Sequence, residues 1–410
     1  MMPPTERLSD SAAGLLRLLI SGEHLSRPEL STMLQVTSPT VGTALTELIN
    51  GGFVTQTGVR QGKLGRAAGL YGLDVRSGWL LGIDMGSTQI LIVARSLDGA
   101  LLSDFRYAAA EAAQTAGPAP SLVSVAFERV AQLLVELTAS YGQLRAVGMA
   151  LAHVVPNSSS TDSMIGLADG AVRLDDILND IGLPAGVPVL IENNVNCAAL
   201  AELSLGAARS AESFVYLQIG VHLGAALFLD GKLRRGSHGG AGELSRLPFP
   251  MVPESPGVDR TFLLEKHLGS EQLLARTRSH WRGANSGPPT SSKQLLDLAS
   301  RGVDGALDAV GGYADDIAGV AMLLGAVVDP ELIVLGGGVG QNQLLGGMVE
   351  ERLQAEYPEI RLAVSALGDR ATVEGATALA TEYARSSLLG IHYTTILSTS
   401  EPIGAVLIAR

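Results

Sequence analysis

The sequence predicts a small helical head that ends in a β-hairpin, joined to a larger α/β body. Three observations predict it. Near the start, capped amphipathic helices are separated by only a few residues and followed by two short β-prone runs. Beyond about residue 75, buried-strand patterns alternate with helical ones between short glycine clusters, the punctuation of an α/β protein. At 410 residues, with 46% hydrophobic and 17% charged side chains, the chain is long enough for two or three units with substantial cores.

In the head, Leu15, Leu16, Leu18 and Leu19 recur at helical spacing until Ser21-Gly22 ends the run. Ser26-Arg27-Pro28-Glu29 has the form of a capping box, in which Ser26 caps a second helix and Glu29 reaches back. After a short turn, Ser38 is expected as N-cap of a third helix, with Pro39 in its first position. Val41, Leu45, Leu48 and Ile49 form its apolar stripe, Thr40, Thr43 and Glu47 lie opposite, and Asn50-Gly51-Gly52 stops it. Phe53 to Gln56 and Leu70 to Leu73 then read as strands, with Arg60, Lys63 and Arg66 among glycines between them. Residues 1–75 therefore read as a winged helix-turn-helix, the third helix entering the major groove of double-stranded DNA and the basic loop approaching phosphates. Ser38, Thr40, Thr43, Arg60, Lys63 and Arg66 are the candidate DNA contacts. A three-helix packing or dimerisation module would share the helices.

Charge limits the partners. The chain has 29 basic and 41 acidic residues, a net charge of −12, which disfavours nonspecific adhesion to nucleic acid or anionic membrane, so any DNA contact is local. The head itself is neutral: Arg7, Arg17, Arg27, Arg60, Lys63 and Arg66 are matched by Glu6, Asp10, Glu23, Glu29, Glu47 and Asp74. Modest affinity per head is expected, offset by a dimer on two half-sites. The first residues, MMPPTERLSD, lack a basic region followed by an apolar core, and no uninterrupted apolar run reaches about 18 residues, so a cytoplasmic protein without membrane contact is expected. The single cysteine, Cys197, excludes an intrachain disulfide.

The body opens with Trp79-Leu80-Leu81-Gly82-Ile83-Asp84, then Met85-Gly86-Ser87-Thr88 and a second strand, Ile90 to Ala94. This hairpin resembles the phosphate-facing turn of the actin, hexokinase and Hsp70 superfamily. Further blocks follow in order: Ile191-Glu192-Asn193-Asn194-Val195-Asn196 running on to Glu202, Gly220-Val221-His222-Leu223-Gly224, Asp230-Gly231 with Gly239 to Glu243, Asp329 to Val339, and Leu367-Gly368-Asp369 with Gly375-Ala376. With the head in front, the series resembles the repressor branch of the ROK family of repressors, open reading frames and kinases. That resemblance implies a two-lobed, actin-like and ribonuclease-H-like sugar kinase fold, with sugar and nucleotide in the cleft between the lobes, and homodimers or dimers of dimers. The lobes are expected at 76–194 and 195–385, with 386–410 as an extension.

The resemblance also marks what this chain lacks for phosphotransfer. Asn194 stands where the family carries its catalytic Asp, and an amide cannot accept a hydroxyl proton at neutral pH. Val221 replaces a phosphate-contacting Thr, and His222 and Ala226 replace glycines; His222 reads as structural. Asp84, Gly86, Thr88, Gly220 and Gly337 remain as a degenerate nucleotide site. Arg246 stands at the position of a zinc-binding His and no cysteine cluster follows, so neither metal nor cofactor is expected. Asn193, Asn194, Glu243 and Arg246 are candidate sugar contacts, with Arg246 suited to an acidic or phosphorylated sugar. After Ser386, Ile391 to Leu397 and Gly404 to Ile408 read as two β-prone segments, a hairpin, a dimer contact or a locally packed extension. The expected function is a homodimeric, DNA-binding transcriptional repressor without kinase activity, responsive to a sugar or sugar-phosphate effector that changes the lobe angle. A ligand-free scaffold and an active ATP-dependent kinase with a regulatory head are the alternatives.

Overall fold

The computed structural model describes residues 8–61, 67–86, 89–108, 121–155, 164–167, 170–247, 263–281, 287–390 and 405–408, with backbone alone at some of these. They form two compact units, 1–194 with 373–410, and 195–372.

The head contains helices α1 (Asp10–Leu19), α2 (Arg27–Leu34) and α3 (Ser38–Asn50), and strands β1 (Leu25–Ser26), β2 (Val54–Gln61) and β3 (Ala67–Leu73) in the order β1-β3-β2. One face of each helix meets a common core of Leu15, Leu16, Leu19, Leu30, Leu45 and Leu48. The turn before α3 departs from expectation. Thr37, not Ser38, is the N-cap: its hydroxyl accepts from the Thr40 N–H, and Ser38 becomes the first helical residue. Both side chains can cap, and the extended backbone of Thr37, at φ −72° and ψ 153°, decides between them.

In the first unit, a six-stranded sheet has the order β16-β10-β7-β4-β5-β6. Its strands are β4 (Trp79–Met85), β5 (Gln89–Ser96), β6 (Leu101–Ala108), β7 (Leu144–Leu151), β10 (Pro188–Asn193) and β16 (Ala405–Ile408). Strands β4, β7 and β10 are parallel, and β5, β6 and β16 run antiparallel to their neighbours. Both faces are covered, which explains the unbroken apolar run of β4. Trp79, Leu81, Ile83 and Met85 face α4 (Leu122–Tyr141), while Leu80 turns to the opposite face. A small hairpin, β8 (Met164–Leu167) with β9 (Gly170–Arg173), and α5 (Leu174–Asp180) complete the described elements before β10.

The opposite face is covered by the helix Ala371–Leu388, which crosses the unit boundary at Val373 and from there belongs to the first unit rather than to the second lobe expected from the sequence. Glycine is the physical reason. A Cβ on Gly82 would lie 2.0 Å from the Thr377 hydroxyl oxygen, and one on Gly148 would lie 1.8 Å from the Ala376 carbonyl oxygen. Arg95 of β5 clamps Glu374 of the same helix through two hydrogen bonds of 2.9 and 3.1 Å. The end of this helix meets the head: Arg385 donates to the Leu97 carbonyl at 2.8 Å and the Ile20 carbonyl at 3.4 Å, and Leu388 and Leu389 pack against the head core.

The second unit is built on a five-stranded sheet of order β13-β12-β11-β14-β15. Its strands are β11 (Phe214–Ile219), β12 (Leu223–Leu229), β13 (Lys232–Arg234), β14 (Leu332–Gly336) and β15 (Arg361–Val364). Helix α6 (Asn194–Leu205) enters from the first unit. Helices α7 (Leu263–Leu268), α8 (Ser270–Ser279), α9 (Ser292–Ser300), α10 (Asp304–Val328), α11 (Gly337–Gly340) and α12 (Gln343–Glu356) follow, and α13 is the helix Ala371–Leu388 described above. Helix α10 is long and apolar enough to cross a membrane by composition, but its Val310, Tyr313, Ala314 and Ile317 are buried in the core of this unit.

In the tail, Ala405–Ile408 forms β16 and pairs antiparallel with β10 of its own chain, Leu190 opposite Val406, as a locally packed extension does. The first β-prone segment, Ile391 to Leu397, lies outside the described residues.

The glycine contacts predict an asymmetry. Gly148→Ala drives a methyl group into backbone and is expected to lower the thermal midpoint, with a stability loss of about 1–3 kcal/mol. Gly58→Ala, on the exposed wing where nothing lies within 4 Å, is expected to leave the midpoint nearly unchanged, and differential scanning calorimetry of both variants checks this.

Candidate functional site

On the head, Ser38 and Thr43 are exposed and Thr40 is half-buried at the start of α3. Arg60 lies on β2, exposed, and pairs with Glu29 of α2 at 2.6 Å. The Ser26 hydroxyl and backbone N–H both donate to the Glu29 carboxylate, and with Arg60 they hold its pKa below the ordinary carboxylate value. Glu47, in the last turn of α3, accepts from the Ser9 N–H at 2.8 Å and the Ser9 hydroxyl at 2.7 Å. Both carboxylates beside the predicted DNA surface are thus engaged within the head. Lys63 and Arg66 lie outside the described residues.

In the first unit, predicted site residues gather at the carboxyl ends of the parallel strands, where open α/β sheets place ligands. Met85 and Asn193 both stand in register with Leu151, so the ends of β4, β7 and β10 form one rim. Asp84 is buried on β4. Gly86 follows, and a Cβ there would lie 2.8 Å from the Gln89 carbonyl oxygen, so the turn excludes larger residues. Thr88 lies outside the described residues. The Asn193 side-chain amide donates to the His153 carbonyl at 3.1 Å, which fixes its orientation at the end of β10. Asn194 is the first residue of α6.

In the second unit, Gly220 and Gly337 come together at the ends of β11 and β14. A Cβ on Gly220 would approach the Gly338 nitrogen to 3.5 Å, and Gly337, with φ of +81°, would place a Cβ 2.6 Å from the Ile219 carbonyl oxygen. Glu243 immediately precedes the 3-10 turn Leu244–Arg246, and its neighbour Gly242 is zipped to β12 by the Ala225 N–H at 2.9 Å. The Arg246 side chain is outside the described set.

One residue of this region was not singled out from the sequence. Glu265 of α7 accepts from the Leu223 N–H at 3.3 Å and pairs with His222 at 3.4 Å, so a carboxylate is held against the turn between β11 and β12. Its hydrogen bond raises the His222 pKa. Burial works against the Glu265 carboxylate, yet His222 and the Leu223 N–H together keep its pKa below the ordinary value. No local motif announces Glu265, because its partners lie far back in the chain.

Among the described residues, no cluster of three His, Cys, Asp or Glu side chains could hold a metal ion. A cavity of about 410 Å³ lies between α8 and α10, lined by Arg276, His280, Asp308 and Asp316 among others. It contains none of the predicted sugar or nucleotide residues.

The family model described as ROK family matches residues 80–383. The chain belongs to the ROK family. Among its relatives, the xylose repressor of Caldicellulosiruptor bescii is 23% identical over 387 residues, covering 89% of this chain and 94% of the repressor. The glucokinase of Streptomyces coelicolor is 23% identical over 332 residues, covering 74% of this chain and 98% of the kinase. A solved ROK family transcriptional regulator, a homolog of the E. coli MLC protein, superimposes with a TM-score of 0.68 at 20% identity, over 95% of this chain and 99% of its own. The fold is therefore shared over 95% of the chain with a regulator, and the sequence match to the kinase covers 74% of it.

The His222 and Glu265 pair yields a prediction in this ROK protein. A raised His222 pKa stabilises the fold below about 6.5 and that contribution disappears as His222 deprotonates; a lowered Glu265 pKa stabilises above about 4.5 and is lost as Glu265 protonates. The contribution is therefore largest between those values. Glu265→Gln is expected to bring the His222 pKa down toward that of a free histidine in an NMR titration; an unchanged pKa would remove the pair as its cause.

Proposed function

We propose that this ROK protein is a DNA-binding transcriptional repressor, with a body that binds a carbohydrate-type effector and does not phosphorylate it. The observation that carries the proposal is a helix-turn-helix followed by the paired strands β2 and β3, attached by α13 to a ROK body, over a length that a xylose repressor matches almost from end to end. Ser38, Thr40 and Thr43 at the start of α3 contact the major groove, and Arg60, with Lys63 and Arg66, serves the phosphates. A neutral head binds modestly alone. A homodimer on two half-sites offsets this, since linked binding events raise the overall affinity.

Asn193, Asn194, Glu243 and Arg246 are the proposed effector contacts. Amides and carboxylates suit sugar hydroxyls, which both donate and accept. The same residues argue against phosphotransfer. Asn194 cannot act as a base, and absence of a general base costs about 10² to 10⁴ in rate. In the turn after β11, His222 and Glu265 bring side chains to a place where a kinase needs bare backbone for phosphate. A DNA-binding repressor works where the chromosome is, which supports a cytoplasmic location.

Regulation requires the effector to favour one arrangement of the dimer over another. The test is fluorescence anisotropy of the purified protein on DNA upstream of its own gene, at two salt concentrations, with a panel of sugars and sugar phosphates. Selective, salt-dependent binding is expected, changed by one sugar at least about fivefold. A parallel coupled assay with ATP and Mg²⁺ is expected to show no sugar-dependent turnover. Binding indifferent to every sugar would reduce the body to a scaffold, and turnover would overturn the non-enzymatic assignment.

A further inference from the structure

Helix α3 buries Val41, Ala44, Leu45 and Leu48 and turns Pro39, Gly42, Thr43 and Thr46 outward, at positions i, i+3, i+4 and i+7. Gly42 is the unexpected member of this row. Glycine inside a helix is destabilising relative to alanine. Packing accounts for Gly14 in α1, where a Cβ would press to 3.3 Å from Leu34, but a Cβ on Gly42 would meet nothing within 4 Å. The chain itself gives no reason to keep this position bare.

The threonines beside it offer restricted chemistry. The Thr43 hydroxyl donates to the Pro39 carbonyl at 3.3 Å, and the Thr46 hydroxyl donates to the Gly42 carbonyl at 2.9 Å. With those protons committed, each side chain presents outward a methyl group and an acceptor oxygen. Pro39 adds apolar surface, and this row contains no side-chain donor.

We infer that Gly42 is the point of closest approach of α3 to operator DNA, and that Thr43 and Thr46 beside it read A·T base pairs. In the major groove an A·T pair presents the adenine N6 donor and the thymine methyl, which match an acceptor and a methyl. A G·C pair also offers a donor, the cytosine N4, but it lacks the thymine methyl, and its guanine N7 and O6 are acceptors that need a donor this row does not supply. A bare backbone at Gly42 lets the helix sit deep enough for short side chains to reach the base edges. The inference rests on the repressor reading, and its test separates the two.

The full-length protein is used to select binding sites from a randomised duplex pool, and the selected site is then bound by wild type, Gly42→Ala and Thr43→Val, each also followed by thermal melting. Gly42→Ala is expected to melt higher than wild type while losing about tenfold or more in operator affinity. Thr43→Val keeps a methyl but loses the acceptor, and is expected to fold normally and bind more weakly. Replacing an A·T pair under α3 by G·C is expected to cost wild type roughly 5- to 100-fold. Selected sites with Gly42→Ala binding as tightly as wild type, or with invariant G·C pairs at the bases facing Thr43 and Thr46, overturn this inference alone. Failure of wild type to select any sequence overturns the repressor reading and this inference with it.

Discussion

Helix α13 lies against the sheet of the first unit at a separation that only glycine permits. At Gly82 and Gly148 the strand backbones stand where side chains of any other residue would collide with Thr377 and Ala376. This closeness lets β4 and β7 bury both faces and gives α13 a fixed seat, reinforced by Arg95 and Glu374. The far end of the helix then has a fixed place, where Arg385, Leu388 and Leu389 hold the head. The head is consequently docked by side chains, as well as by the chain connection between β3 and β4.

Electrostatics in the head follow a similar economy of local pairing. A net charge of −12 would repel DNA if the acids near the helix-turn-helix were unpaired. Glu29 is instead occupied by Ser26 and Arg60, and Glu47 by the N-terminal end of α1. The first of these pairings also occupies the one described basic side chain of the wing, so the proposed phosphate contact of Arg60 would require it to release Glu29. Such an exposed pair is weak and salt-screened, and the exchange is correspondingly undemanding.

What could be read from the sequence was what short stretches of chain decide. The helices of the head, the strands at Trp79 and Ile90, and the glycine loops carry their own periodicity and caps, so their positions were legible. The family order of the blocks made the body legible as well. The rest depended on partners distant in the chain. Nothing near Val373 says that the helix there turns back to Gly82 and Gly148, so the lobe boundary at 385 was misplaced. Thr37 and Ser38 have equivalent capping chemistry, and only the backbone distinguishes them. Glu265 has its meaning from His222 and Leu223, and Arg60 has its partner in α2. The candidate site was therefore legible as a set of residues but not as a set of interactions.

The first unit is discontinuous in sequence, since its sheet and head come from residues 1–194 while α13 and β16 come from beyond residue 372. During synthesis the head emerges before the second unit, and its docking helix only after the entire second unit has been made. Domains generally fold in the order in which they leave the ribosome. A chain interrupted before residue 371 therefore carries the helix-turn-helix without the helix that docks it, and the head gains its mount only after the second unit has been made.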